Sequence, residues 1–261
     1  MNTDFLISTR KESFMVQTPL DDSEIKSLYK LAGIASLLAM ATNLLDVILG
    51  FGETDVIING SMSAVEWFSF FQVNWFKGLY TLGFLNIVYM VCMIPVYVAM
   101  LIAHRRKHLI ISAMATVIFL LAFAIYVSNS AAIPMLVLSG KYAAATTDAQ
   151  RALFAAAGES ILARGEDFTP GSAPGLIFSG IAAITISFVM LGGGIFGKAN
   201  SWIGIVAFTC LSLFTVLATF VPSLYFVAFY VFGMIGGLLA LTWFVLVAFR
   251  FFKLGRTTAL F

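Results

Sequence analysis

Between Ala199 and Phe249 the chain carries no charged side chain. That stretch is more than twice as long as the roughly 20 residues that an apolar helix needs to cross the hydrocarbon core of a bilayer. Over the whole chain, 61% of the residues are apolar and 11% are charged, whereas soluble domains have about 45–50% and about 25%. The composition therefore excludes a soluble domain and indicates an integral membrane protein.

Six stretches are long enough and apolar enough to span a bilayer. They cover residues 28–51, 78–103, 109–132, 176–196, 203–221 and 224–249. Spanning segments must satisfy their own backbone hydrogen bonds, and these stretches lack the alternation of a transmembrane barrel. We therefore predict an all-α fold, a polytopic membrane bundle of six transmembrane helices over residues 28–252. An N-terminal segment, 1–27, precedes the bundle, and a tail, 253–261, follows it.

The basic residues are distributed unequally between the two sides of these spans. Lys77, Lys141, Arg151 and Arg164 fall on one side, and the other eleven of the 15 lysines and arginines fall on the opposite side. Basic residues near the ends of spans are retained in the cytoplasm, so both termini and the turn around Arg105 are predicted to be cytoplasmic. The net charge of +2 gives no support to a nucleic-acid partner.

A compact basic turn joins the second and third spans. Arg105, Arg106 and Lys107 are typical of a topology anchor that contacts anionic lipid headgroups. The only two histidines, His104 and His108, flank these three cations, and the positive charge between them opposes a bound metal ion. We therefore expect neither a metal site nor a cofactor here, and a bis-histidine haem within the membrane is excluded.

Two connections on the non-cytoplasmic side, 52–77 and 140–175, are longer than a turn. In the first, residues 62–76 are mostly apolar with only Glu66 charged, and this segment is too short to cross a bilayer. It is predicted to form an interfacial or re-entrant helix that packs against the bundle, with its aromatic rings in the headgroup layer.

The second connection is predicted to contain an amphipathic helix. Thr147 and Gln150 match a capping box, in which two side chains satisfy free backbone amides at a helix N-terminus. Apolar residues then recur at helical spacing from about residue 148 to 164, and the proline- and glycine-rich stretch 169–175 disfavours continuation. We expect this helix to form a lid over the outer end of the bundle, with partner binding through its apolar face as the alternative.

Asp46 is the only acidic residue within a predicted span. It lies about six residues from the outer end of the first span, on the order of 9 Å deep at 1.5 Å per residue. A charge at that depth is costly unless it is paired or hydrated, so an intramembrane acid is a candidate site. Other polar side chains fall at matching depth: Asn43 on the same helix, Asn86 and Tyr89 on the second span, and Tyr126 and Asn129 on the third.

If these faces converge, Asp46 would be surrounded by amide and phenol groups beneath the outer helices. Such a polar pocket could hold a cation, a proton or the polar head of an amphiphile. The alternative is structural, because buried polar side chains commonly form hydrogen bonds between membrane helices that only fix their packing. The sequence leaves both readings of Asp46 open.

Part of the second connection resembles a known family. The residues at 142–145 (YAAA), 149–151 (AQR) and 155–159 (AAAGE), preceded by SNS at 128–130, are similar to a bacterial family of six-helix membrane proteins described as a domain of unknown function. The resemblance covers about residues 28–252. It implies a six-helix architecture with a long loop between the third and fourth spans, and a bacterial inner membrane location. It implies no activity and no catalytic residue.

Three classes of function remain. The first is a non-catalytic membrane component, either an accessory subunit or a protein that binds lipid or a small molecule, with membrane lipids, another membrane protein or a second copy as partners. The second is a small transporter or channel with an outer site around Asp46, although the sequence shows no clear inverted repeat of interrupted helices. The third is an intramembrane lipid-modifying enzyme, which would need a convergent set of acids, bases or metal ligands. We therefore expect no catalytic activity.

Overall fold

A computed structural model describes residues 21–50 and 62–257, and the regular structure of this part is entirely helical. The predicted N-terminal segment up to residue 20, the connection 51–61 and the tail from residue 258 lie outside it. The helices are α1 (Asp22–Gly50), α2 (Ala64–Val73), α3 (Trp75–Thr81), α4 (Phe84–His104), α5 (Leu109–Asn129), α6 (Ala132–Ala143), α7 (Asp148–Gly165), α8 (Ala173–Gly193), α9 (Lys198–Phe220), α10 (Tyr225–Ala228) and α11 (Met234–Arg256). A 3-10 turn (Pro222–Leu224) precedes α10, and a π-helical segment (Phe229–Gly233) joins it to α11.

Six helical segments are long and apolar enough to cross a membrane, which confirms the predicted all-α polytopic bundle. They are α1, α4, α5 with its extension α6, α8, α9, and the last segment from Pro222 to Arg256. The second span begins at Phe84 and not at residue 78, because Gly83 has a φ of 80° that interrupts the helix. Residues 75–81 form the separate helix α3 instead. The chain is therefore an integral membrane protein.

The spanning helices form a closed ring. Each of α1, α4, α5, α8 and α9 packs against the next, α9 packs against α11, and α11 returns to α1. Large side chains fill the centre of the ring: Tyr97 of α4 stacks on Phe119 of α5 with ring centroids 4.2 Å apart, and Phe208 of α9 meets Trp243 of α11 edge-on at 5.1 Å. The middle of the bundle is thus a packed apolar core.

Helices α2, α3, α6 and α7 form a cap at one end of the ring, which we call the cap end. The aromatic side chains of α2 build its core, since Trp67, Phe68 and Phe71 are at most 3% exposed and pack with Met135 of α6 and Leu162 of α7. These three rings are therefore covered by protein, whereas the prediction that the rings of this segment lie in the headgroup layer concerns their depth in the bilayer and stays a prediction. They are buried because α6 and α7 cover the apolar face of α2.

The amphipathic helix α7 has nearly the predicted bounds. The hydroxyl of Thr147 accepts a hydrogen bond from the Gln150 amide at 3.3 Å, whereas the Gln150 side chain accepts from the Thr146 amide, one residue earlier than a capping box requires. Gly158 of α7 allows close packing on α2, because a Cβ there would lie 2.7 Å from the Cβ of Ala64. The predicted lid over the bundle is thus one helix of a four-helix cap.

The first and last spans meet along a seam that does not run their full length. Tyr29 stacks on Phe251, and the Ser36 hydroxyl donates to the Phe244 carbonyl oxygen at 2.8 Å. Towards the cap end the packing stops: none of residues 41–49 is buried, and among residues 221–235 only Ala228 is buried. A Cβ added at Gly237 would meet no described atom within 4 Å. We call this less buried part of the seam, residues 41–49 and 221–237, the cap-end cleft.

Candidate functional site

A short connecting segment enters the cap end of the ring between α7 and α8. It carries Asp167, whose Oδ1 accepts a hydrogen bond of 2.7 Å from the Tyr126 hydroxyl of α5. Its Oδ2 accepts a second bond of 3.2 Å from the side-chain amide of Asn86 on α4. One carboxylate from the connection is therefore held by donors from two spanning helices.

Two glycines allow these groups to approach each other. A Cβ on Gly83 would lie 2.6 Å from the Tyr126 hydroxyl and 2.9 Å from Oδ2 of Asp167, and a Cβ on Gly175 would lie 2.9 Å from the Cβ of Tyr126. Gly83 is also the N-cap of α4 and provides no side chain to cap the first turn. The Asp167 carboxylate therefore lies beside a helix N-terminus, where the partial positive charge of the helix dipole stabilises an anion.

The next residue, Phe168, has a backbone conformation that is unusual for a side chain with a Cβ. Its φ is 61°, in the left-handed region, which costs about 1–2 kcal/mol for a residue other than glycine. The ring packs edge-on against Phe214 of α9 at 5.1 Å and against Tyr225 of α10 at 6.1 Å. Asp167 thus contacts the spanning helices α4 and α5, whereas Phe168 contacts α9 and α10. The aromatic contacts of Phe168 offset the strain of its backbone.

Two further acidic groups lie close to this carboxylate. Asp46 of α1 interacts electrostatically with Asp167 and Tyr126, and Glu166 interacts with Asp167. Burial raises the pKa of Asp167, and the hydrogen bonds from Tyr126 and Asn86 oppose this shift. Burial, and then repulsion by Asp167, raise the pKa of Glu166. We call the group formed by Asp46, Asn86, Tyr126, Asp167 and Tyr225 at this end of the ring the cap-end mouth.

The structure divides the predicted polar pocket into three parts. Asn86 and Tyr126 come together, but their hydrogen bonds go to Asp167 and not to Asp46. Asn43 and Asn129 donate to carbonyl oxygens of their own helices, at 2.8 Å to Ala39 and 2.9 Å to Ile125, as they would in a purely structural role.

Tyr89 of α4 lies deeper in the ring than Asn86. It packs edge-on against Phe244 of α11 with ring centroids 5.9 Å apart, and its side chain is close to Ser179 of α8. The ring of Tyr89 thus belongs to the packed centre of the bundle. It does not join the group around Asp167.

Asp167 and Phe168 were missed by the sequence reasoning. Both lie between the predicted amphipathic helix and the proline- and glycine-rich stretch, in a segment that was expected to be a connection. The available signal was the sequence Glu166–Asp167–Phe168, which places two acids beside an aromatic residue immediately before a spanning helix. Their position in the mouth depends on the tertiary packing of α7 on the ring.

The basic turn lies at the end opposite the cap. Arg106 and Lys107 are exposed and Arg105 is half-buried, as a contact with lipid headgroups would require. His104 is 1% exposed, and its Nδ1 donates to the Met100 carbonyl oxygen at 2.9 Å. Within the described residues, no group of three or more histidine, cysteine or acidic side chains has the arrangement of a metal site.

Comparisons of this chain with protein-family models, with curated proteins and with solved structures gave no match.

Proposed function

We propose that this integral membrane protein is a non-catalytic binding component of the membrane, and that its cap-end mouth binds an ammonium group carried by an amphiphile or a small amine. The position of the Asp167 carboxylate is the observation that supports this proposal. It accepts a hydrogen bond from Tyr126 in the mouth, where it also interacts electrostatically with Asp46. The electrostatic interaction between Asp46 and Asp167 is one between two carboxylates. A bound cation would relieve the repulsion between them.

The tyrosines of the mouth favour an organic ammonium group over a bare metal ion. Tyr126 and Tyr225 both interact electrostatically with Asp167, and Phe168 packs on Tyr225. Proteins commonly surround quaternary ammonium ligands with aromatic rings. Both oxygens of Asp167 accept bonds from neutral donors, which suits a fixed binding charge better than a group that exchanges protons with a substrate.

We propose the cap-end cleft as the route from the lipid to this mouth. The seam between α1 and α11 is antiparallel, and its register places Asp46 level with Met234, beyond the point at which the two spans cease to pack. An amphiphile could keep its acyl chains in the bilayer while its head reaches Asp46 through the cleft. By the distribution of basic residues, we infer that this end faces away from the cytoplasm. With the family resemblance, we propose that it faces a bacterial periplasm.

Thermal unfolding of the purified full-length protein in detergent tests the proposal. Short-chain phosphatidylethanolamine should raise Tm by roughly 5 °C at saturating concentration, while phosphatidylglycerol with the same chains should not. Free ethanolamine distinguishes the headgroup from the whole lipid. The shift should disappear in Asp46→Asn and persist in the matched control Asp148→Asn, which changes an exposed acid on α7. Equal responses to both lipids, or an undiminished shift in Asp46→Asn, would contradict the proposal.

A transport role is the second candidate, and the broken last span favours it. The 3-10 turn, α10 and the π-helical segment replace a continuous helix beside the mouth, where Phe229 packs near Phe214 and Tyr225. π-helical segments are frequent at functional sites. Uptake of labelled ethanolamine into proteoliposomes, abolished in Asp46→Asn, would support transport, whereas binding without uptake would support the first candidate. The accessory-subunit role stays a prediction.

A further inference from the structure

The turn between α2 and α3 presents three large apolar side chains. Val73 is 88% exposed, Trp75 is 59% exposed and Phe76 is 47% exposed. We call these three residues the apolar tip. Their exposure contrasts with the buried rings of Trp67 and Phe68 in α2.

The tip is held in a defined conformation. The Asn74 amide donates to the Phe70 carbonyl oxygen at 2.9 Å, and the Asn74 side-chain oxygen accepts from the Lys77 amide at 2.9 Å, so one residue ends α2 and begins α3. Trp75 and Phe76 are adjacent along the chain and pack edge-on against each other at 5.8 Å. A well-ordered turn therefore fixes the exposed side chains.

Helix α7 of the cap exposes charged side chains, unlike the apolar tip. Helix α7 exposes Asp148, Arg151, Glu159 and Arg164, which suits contact with water. The Glu159 carboxylate also accepts a bond of 2.6 Å from the backbone amide of Ala64, the first residue of α2. The polar face of α7 and the apolar tip thus belong to one packed unit, the cap. The orientation of the cap relative to the bilayer follows from the preference of the polar face for water.

The position of the tip along the chain brings it close to the bilayer. Helix α3 has 7 residues, about 10 Å at 1.5 Å per residue, and only Leu82 and Gly83 separate it from the spanning helix α4. On the neighbouring helix α6, which packs on α2 and α3, Ile133 and Val137 are each at least 50% exposed. The apolar surface therefore continues from the lipid-facing side of the spans onto the cap.

We propose that the apolar tip inserts into the interfacial region of the bilayer leaflet at the cap end, with the lipid surface as its partner. Trp side chains favour the boundary between headgroups and acyl chains, and Trp and Phe are typical of the apolar faces of helices that lie there. Continuity with the lipid-facing surface of the spans, and the polar face on α7, argue for lipid over a protein partner. The insertion would hold the cap at a fixed depth, independently of any ligand in the mouth.

Tryptophan fluorescence of the full-length protein in lipid nanodiscs tests this proposal. Trp67 and Trp243 are 1% exposed, so Trp75 and Trp202 are the two exposed tryptophans. The difference between the wild type and Trp75→Phe reports Trp75, and the difference between the wild type and Trp202→Phe serves as the matched control. Lipids brominated on the acyl chain near the headgroup should quench the Trp75 component at least twofold, and iodide in the buffer should leave it nearly unchanged.

Two outcomes would overturn insertion of the tip. Quenching by iodide but not by brominated lipid would place Trp75 in water, and quenching by neither would mean that a protein surface covers it. The variant Val73→Cys, labelled with a polarity-sensitive fluorophore, provides a second measurement at an 88% exposed position if Trp75→Phe unfolds. The emission of the labelled protein in nanodiscs should lie at shorter wavelength than that of the free fluorophore in buffer. An unshifted emission would likewise overturn the proposal.

Discussion

The Tyr126 hydroxyl donates a hydrogen bond of 2.7 Å to Oδ1 of Asp167, and this bond joins a membrane-spanning helix to the connection that follows the cap. The same carboxylate accepts from Asn86, so it links α4 and α5 at the point where both reach the cap end. Ala131 reinforces the link, because its backbone amide donates to the carbonyl oxygen of Gly165 at 3.1 Å. Asp167 therefore serves both the packing of the cap and the charge of the mouth.

Removing the phenol hydroxyl should weaken this link. We expect Tyr126→Phe to lower the free energy of unfolding by about 1–3 kcal/mol, because Asp167 loses its shorter hydrogen bond while it stays partly buried. The measurement is Tm in detergent by circular dichroism. Tyr230→Phe is the matched control, since Tyr230 is 63% exposed, and an equal effect of both substitutions would contradict a special role for Tyr126.

The pH dependence of stability follows from the raised pKa of Asp167. Burial disfavours the charged carboxylate in the folded protein, so the protonated form is favoured there and ionisation costs more than in the unfolded chain. The stabilising effect of the protonated group is complete below the ordinary pKa of 3.8. It is lost as pH rises from that value through the raised pKa of the folded protein.

Tm should therefore decrease as pH rises above about 4 and level off once Asp167 is ionised in the folded state. Asp167→Asn should flatten this part of the profile, with a smaller remainder from Glu166, whose pKa is also raised. Asp46 faces the same mouth and is left unchanged in this variant. Asp148→Asn is the control, and a profile of Asp167→Asn that matches the wild type would refute the assignment.

The sequence predicted the spanning helices well because hydropathy reflects a property of each segment alone. It also located Asn86 and Tyr126 as polar groups at matching depth, since depth follows from the position in a helix. It could not identify their acceptor. Asp167 is far from Asn86 and Tyr126 along the chain. Only the packing of α7 against the other cap helices brings it into the mouth.

The aromatic segment before the second span shows a different limit. Its composition suits both an interfacial helix and a buried helix, because Trp and Phe occur in either place. The structure buries Trp67, Phe68 and Phe71 and exposes Trp75 and Phe76. This division depends on Asn74, which ends α2 and begins α3. Trp75 and Phe76 therefore belong to a different helix from the buried rings and do not continue the buried face of α2.

The backbone of Phe168 gives a comparison of two substitutions at one site. Both Phe168→Ala and Phe168→Gly remove the ring contacts with Phe214 and Tyr225, but only glycine accepts a φ of 61° without strain. We expect Phe168→Gly to be more stable than Phe168→Ala by roughly 0.5–1 kcal/mol, after the greater entropy of unfolded glycine is counted. Tm values of the two variants measure the difference.

A control pair should show the opposite order. At Leu153, which is 66% exposed on α7, Leu153→Ala should be more stable than Leu153→Gly by about 1 kcal/mol because alanine favours a helix. If alanine were also the better residue at position 168, the left-handed conformation of Phe168 would not describe the protein in its membrane environment.

The end of α7 provides a test of the link between the cap and the ring. A Cβ at Gly165 would collide with the backbone carbonyl oxygen of Asn129 and would lie 2.8 Å from the backbone nitrogen of Ala131. Backbone atoms cannot move aside as a flexible side chain can, so Gly165→Ala must displace α7 from the ends of α5 and α6. We expect it to lower the free energy of unfolding by about 1–3 kcal/mol.

Gly140→Ala is the matched substitution, because the same methyl group would meet no described atom within 4 Å there. Gly140 lies within α6, where alanine is the better helix former, so this variant should gain up to about 1 kcal/mol. The displacement in Gly165→Ala should also weaken the Tyr126–Asp167 hydrogen bond, because Asp167 follows two residues later. Because that hydrogen bond opposes the rise that burial causes in the pKa of Asp167, its loss should make Tm fall more steeply with rising pH than in the wild type. A wild-type profile at lowered Tm would mean that the mouth is positioned independently of α7.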